Sequence, residues 1–251
     1  MEDNTLDFNF WPSFSDLMLT LVLILVIVVF AVIVAFSVGP ESTPPEPEPP
    51  DGTVIPPEVE QKQMEMIHAI AAAYRVKPIP RTSEPDSYEI RIRTGVNRYT
   101  KITIKNEPTL QRYSFSDRIL FEPNKFNLKQ NGKDTLRTVG RQIKRNLNSI
   151  REIQIQGHAD PTPPDFETSN LHLAAKRAIS VFRFLQFQIH IDPARHLISA
   201  TSFGEYKPIQ RSDQDNTYTP EKLKMHNRTR DMRDKNRRIE ILLFYRNEQT
   251  E

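Results

Sequence analysis

Residues 152–187 read EIQIQGHADPTPPDFETSNLHLAAKRAISVFRFLQF, and this stretch decides the fold. Residues 152–156 (EIQIQ) alternate polar and apolar, the period of a strand. A loop with three prolines follows, Pro161, Pro163 and Pro164. A long helix is expected from about 168 to 187. Downstream come a strand at 197–203, a charged loop, and a strand at 239–245 (IEILLFY). Upstream, a helix is expected from about 130 to 147, and a strand near 115–121. Strands alternating with helices predict an α/β (α+β) domain, a mixed sheet packed with helices. Before it, 87–93 (SYEIRIR) and 99–105 (YTKITIK) alternate around Thr94-Gly95-Val96-Asn97-Arg98, the pattern of a hairpin. A helix is expected from Val59 to Tyr74, where Ile67, Ile70 and Tyr74 share a face widened by Met64, Met66 and Ala71. No internal repeat is visible.

Leu17 to Val38 is an uncharged, apolar run of 22 residues. At about 1.5 Å per residue it reaches about 33 Å, enough for a hydrocarbon core of about 30 Å. A cleaved signal peptide wants a basic start and a shorter apolar core. Here the start is acidic and the run long, so a retained transmembrane anchor is expected. Neither flank carries Lys or Arg, so the positive-inside rule gives no orientation. Eight of the nineteen residues in 39–57 are proline. Such a segment is an extended spacer of about 60 Å at about 3.1 Å per residue. The expected organisation is a short N-terminus (1–11), a transmembrane helix (12–38), a proline-rich linker (39–57), a linker helix with hairpin (58–112), and a terminal domain (113–246).

The charge is segregated. Residues 1–60 hold ten acids and no Lys or Arg, while the rest carries 34 basic residues against 22 acids, a formal +12. A basic domain suits an anionic partner, whether nucleic acid, lipid headgroup or cell-wall carboxylate. The chain has no cysteine, which excludes disulfides, thiolate metal sites and thiol catalysis. Six histidines without a ligand-spaced pair give no metal site, and His158 reads as structural. No Ser-His-Asp order, phosphate loop or paired-carboxylate motif points to an enzyme or a cofactor.

An ordered set of motifs carries a resemblance. These are Ile119-Leu120-Phe121 with Leu128, Gly132 and Leu136, and Gly157-His158-Ala159-Asp160. Asn170, Leu173, Arg177 and Ala178 follow on the long helix. Then come Asp192-Pro193-Ala194-Arg195 with Ile198, Phe203-Gly204-Glu205 and Lys207-Pro208, and finally Asn236-Arg237-Arg238-Ile239-Glu240-Ile241. In this order they resemble the OmpA-like peptidoglycan-binding domain. The resemblance implies that Asp160 and Arg177 hold the zwitterionic head of diaminopimelate in the wall peptide. It also implies a supporting role for Arg237 and counts Asn170 and Leu173 among the peptidoglycan-binding residues. The chemistry suits it, since a zwitterion needs one anion and one forked cation. The chain departs from the pattern at Ala159 (Thr in the family) and Ala174 (Ser), and in longer segments at Pro161–Ser169 and Gln210–Lys235.

Phe10-Trp11-Pro12-Ser13-Phe14-Ser15-Asp16-Leu17-Met18 is the second informative patch. Pro12 can open a helix, which places Asp16 just before the apolar run. An acid there is either interfacial or functional. The patch resembles the start of B subunits of proton-driven stators, which join such a helix to an OmpA-like domain. This OmpA/MotB-like family includes the flagellar motor B subunit and the B subunit of the Zorya anti-phage defence system. The short acidic start looks more like the Zorya subunit. The resemblance implies a proton-carrying Asp16 and a homodimer inside a pentamer of A-type membrane subunits. It also implies a bacterial inner-membrane location with the N-terminus cytoplasmic and the domain periplasmic, and no direct nucleic-acid partner. The rival expectations are a flagellar-type stator subunit and a passive envelope tether.

Overall fold

The computed structural model describes residues 11–37, 55–95, 98–164, 169–212, 215 and 217–246. The short N-terminus, nearly all of the proline-rich linker and the middle of the Pro161–Ser169 loop lie outside them. Two units are distinct, Met1–Asp51 and Gly52–Glu251.

In the first unit a helix, α1, covers Trp11–Ser37. Its side chains are described from Asp16 to Phe30, about 22 Å of helix. Among the described residues no helix is long and apolar enough to cross a membrane. Every large apolar side chain from Leu17 to Phe30 is exposed in the single chain.

The second unit is built on one seven-stranded sheet. In chain order its elements are α2 (Pro57–Ala73), β1 (Ile79–Pro80), β2 (Ser87–Gly95), β3 (Arg98–Asn106), β4 (Leu110–Ser116), α3 (Asp117–Leu120), α4 (Gln130–Arg145), β5 (Ile150–His158), α5 (Asn170–Phe187), β6 (Leu197–Gly204), α6 (Pro220–Met225), α7 (Arg230–Asn236) and β7 (Arg238–Tyr245). The strand order is β1-β2-β3-β4-β7-β5-β6. Every pairing is antiparallel except β5 with β6, which the helix α5 joins in parallel. The sheet is therefore mixed, as the alternation of elements predicts.

The expected boundary between 112 and 113 does not exist. It falls inside β4, which pairs on one side with the hairpin strand β3 and on the other with the last strand β7. The hairpin and α2 thus belong to the same sheet and core as the C-terminal half. Ile90, Ile92, Ile102, Ile104, Tyr113 and Phe115 turn inward with the strand period and join Ile241 and Leu243 in one buried cluster. On α2, Val59, Gln63, Met66, Ile67, Ile70 and Ala71 form the buried stripe. Gln63 locks that helix to the β3–β4 turn, its Nε2 donating to the carbonyls of Glu107 (2.9 Å) and Leu110 (3.2 Å).

The strand expected at 115–121 also differs. Pairing with β7 stops at Ser116 opposite Arg238, and the Asp117 amide donates instead to the Arg237 carbonyl (3.0 Å). One helical turn, α3, follows. In the charged loop before β7, two short helices form without an apolar stripe. Thr219 and Thr229 cap them, accepting from the amides of Lys222 and Met232. Asn236 pins this segment. Its Oδ1 accepts from the Ile209 amide (2.9 Å), and its Nδ2 donates to the His226 carbonyl (3.0 Å) and to Asn227 Oδ1 (2.7 Å).

The tightest contact is between α5 and β5. A Cβ on Gly157 would lie 2.2 Å from the Ala174 carbonyl oxygen. Ala174 and Ala178 are buried, so the helix lies against the strand almost backbone to backbone. The small residue at 174 fits that approach. Gly157→Val must push α5 away and misplace both Asp160 and Arg177. Overpacking of this kind costs about 1–3 kcal/mol. Urea denaturation of the 52–251 unit should show the loss, and an unchanged midpoint would mean that the contact is looser than described.

Candidate functional site

The middle of one helix and the ends of three other elements converge. Asp160 sits two residues past β5, Asp117 opens α3, Arg177 is in the middle of α5, and Arg237 precedes β7. Asp160 is 2% exposed and Arg177 3%. They do not pair with each other. Arg177 Nη1 donates to Asp117 Oδ2 (3.1 Å), and its Nε to the Lys125 carbonyl (2.9 Å). Its guanidinium carbon lies 5.2 Å from the Phe121 ring centre. Asp160 Oδ2 is held by Arg237 Nη1, and Arg237 Nη2 binds Asp234 Oδ1. Asp160 Oδ1 accepts from the Thr162 amide (3.1 Å). Arg237 Nε, 3.8 Å from Asp117 Oδ2, links the two halves. Arg233 approaches Asp160 to 4.0 Å, and Arg118 binds Asp234 at 2.8 Å.

Three carboxylates and four guanidiniums thus share one cluster. Its interior is poorly solvated. Burial raises the Asp117 pKa above the usual carboxylate value, against the pull of Arg177 and Arg237. Burial likewise lowers that of Arg177, against Asp117. Asp117 Oδ1 is buried and accepts no hydrogen bond among the described residues. With its side chain 24% exposed, Arg237 is the member of the quartet most open to solvent.

Of the residues singled out in the sequence, the structure brings Asp160, Arg177 and Arg237 together. Asn170 and Leu173 lie on the buried face of α5, one to two turns before Arg177. No ion pair or hydrogen bond among the described residues joins Asn170 to the cluster. Asp117, which bridges the two arginines, escaped the sequence reading. Its signal was the Ser116-Asp117 pair, one residue before Ile119-Leu120-Phe121, the form of a helix start. Asp234, Arg233 and Arg118 were missed with it.

His158, two residues from Asp160, is buried and stacks on Phe203, ring centres 5.3 Å apart. Its Nε2 is 3.6 Å from Glu240 Oε2. Arg238 Nε (2.6 Å) and Arg112 Nη1 (2.7 Å) hold that carboxylate. Burial and the neighbouring Arg238 lower the His158 pKa, which keeps the ring neutral. Glu240 is held well below the carboxylate range despite its burial, by Arg238 first and by Arg112. Among the described residues no cluster of His, Asp and Glu suits a metal.

Residues 120–219 match the OmpA family. Motility protein B of Bacillus subtilis (strain 168) is 28% identical over 136 residues, 53% of this chain and 44% of that protein. The chain therefore matches less than half the length of this curated relative. A crystal structure of a MotB-like protein from Desulfovibrio vulgaris shares the fold. It has a TM-score of 0.51 and 21% identity, covering 75% of this chain and 98% of that one. The periplasmic domain of Helicobacter pylori MotB gives a TM-score of 0.47 with 21% identity, over 63% of this chain and 88% of that one.

The buried histidine makes stability depend on pH. Its folded pKa lies below the unfolded value of about 6.5. Its contribution is therefore full above about pH 6.5 and is lost as pH falls toward the lowered folded value. Glu240 adds a later loss, below the ordinary carboxylate range. Denaturation midpoints of the 52–251 unit should fall from pH 7 to pH 5. His158→Gln should flatten that interval and leave the acid limb below it, whereas equal slopes would mean that the ring is not held neutral.

Proposed function

We propose that this chain is the wall-anchored B subunit of a stator-type membrane motor. The observation that carries the anchoring part is the buried quartet of Asp117, Arg177, Arg237 and Asp160. Every charge in it is already paired by the protein. A ligand with only one charge would leave a partner stranded, at a cost of several kcal/mol. A zwitterion avoids this. Its ammonium takes the place of the Arg237 guanidinium on Asp160, and its carboxylate takes that of Asp117 on the Arg177 fork. The second centre of diaminopimelate carries such a head in the wall peptide. The family match and the B. subtilis relative support this reading.

The motor part rests on the N-terminus. In this reading α1 spans the inner membrane, the Pro-rich segment reaches toward the wall, and Asp16 carries protons. The chain acts as a homodimer within a ring of A-type subunits. Asp16 is exposed in the single chain, so a partner could enclose it. Two outputs compete. The similarity to Motility protein B favours a flagellar-type stator. The Phe-Trp-Pro-Ser-Phe-Ser-Asp start favours a Zorya-type anti-phage subunit. Disrupting the gene separates them, since loss of swimming supports the first and loss of phage protection the second.

The 52–251 unit should pellet with purified peptidoglycan. Asp160→Ala, Arg177→Ala and Asp117→Asn should each weaken pelleting by well over tenfold, because the first two remove a partner of the zwitterion and the third strands the buried Arg177. Wild-type pelleting by all three, in variants that remain folded, would remove the site. Asp16→Asn should leave abundance and wall binding intact and abolish the biological output. Full output from that variant would favour a passive tether.

A further inference from the structure

We propose a second, anion-binding subsite in the groove between the β2–β3 hairpin and α3, which holds a carboxylate-bearing neighbouring stem of the same wall strand. The proposal rests on the wall-binding reading and extends it. The hairpin makes the groove by overhanging the sheet. β3 begins at Arg98, but its pairing with β4 begins only at Ile102 opposite Phe115. Residues 98–100 therefore project past the end of β4, where the chain turns away into α3. The open groove has a volume of about 730 Å³.

Its lining is chemically biased. Arg91, Lys101, Arg118 and Lys129 face it with a single carboxylate, Glu89. Arg91 and Lys101 are paired across the strands, and Glu89 anchors both, at 2.7 and 3.0 Å. Glu89 is largely buried, while the two cations keep more than half of their side-chain surface in solvent. One fixed acid thus aims two cations outward and leaves their remaining N–H groups for an oxyanion. Tyr99, 66% exposed beside them, offers a flat apolar face to a sugar ring or peptide plane.

Continuity with the site selects the occupant. Ser116 and Arg118 line the groove, and Asp117 between them belongs to the buried quartet. Arg118 also binds Asp234, which holds Arg237. A wall strand seated at Asp160 and Arg177 thus meets the groove through the same short segment. Its neighbouring peptide stem presents carboxylates, whose attraction to these cations is screened by salt.

The test uses the full chain in detergent and two ligands, a free diaminopimelate tripeptide and a glycan fragment bearing two such stems. The unaltered chain should bind the two-stem fragment more tightly than the tripeptide, by a margin that shrinks at high salt. The triple variant Tyr99→Ala, Lys101→Gln, Lys129→Gln should lose about three- to tenfold for the two-stem fragment only. Glu89→Gln, which keeps the side chain's shape and removes the negative charge that competes for the two cations, should tighten binding of that fragment, an outcome that damaged folding would not produce. Equal binding of both ligands by the unaltered chain, or unchanged two-stem binding by the triple variant, overturns the groove and leaves the Asp160 site standing. Equal loss for both ligands in the triple variant overturns it as well. No binding of either ligand by the unaltered chain overturns the wall-binding reading and the groove with it.

Discussion

The charge chain Arg177–Asp117–Arg237–Asp160 is the interaction on which the domain's organisation turns. It joins the turn after β4, the middle of α5, the start of β7 and the loop after β5, four places far apart in sequence. Burying so much charge is tolerable only when each group has a partner in good geometry. That condition constrains the backbone around it. β4 must stop at Ser116 for Asp117 to turn inward. Arg237 must precede the ladder that Arg238 begins, and α5 must lie close enough to β5 for Arg177 to reach. Gly157 against the Ala174 carbonyl supplies that closeness.

The final motif divides its labour residue by residue. Asn236 fastens the long charged segment, Arg237 enters the quartet, and Arg238 secures Glu240 beneath His158. Isoleucines 239 and 241 fill the core. One hexapeptide therefore couples the loop, the charged site and the sheet interior. His158 supports the strand end that carries Asp160, a structural task for a buried, neutral ring.

Much of this was legible in the sequence, since periodicity placed the strands and helices of the C-terminal half. Asp160, Arg177 and Arg237 stood out because each sits in a recognisable motif. Asp117 did not, because its role comes from pairing 60 residues ahead with Arg177. The supposed boundary at 112 failed for a related reason. Nothing local in Leu110–Ser116 records that its partner is the strand ending at Tyr245. The helices α6 and α7 carry no apolar stripe, so periodicity was silent, and only their threonine caps mark them.

A crystal structure of the 52–251 unit with a diaminopimelate tripeptide tests the central claim most directly. The peptide's ammonium should lie on Asp160 and its carboxylate on the Arg177 fork, with Arg237 turned away from Asp160. A peptide bound elsewhere, with the Arg177–Asp117 and Arg237–Asp160 pairs intact, would contradict it.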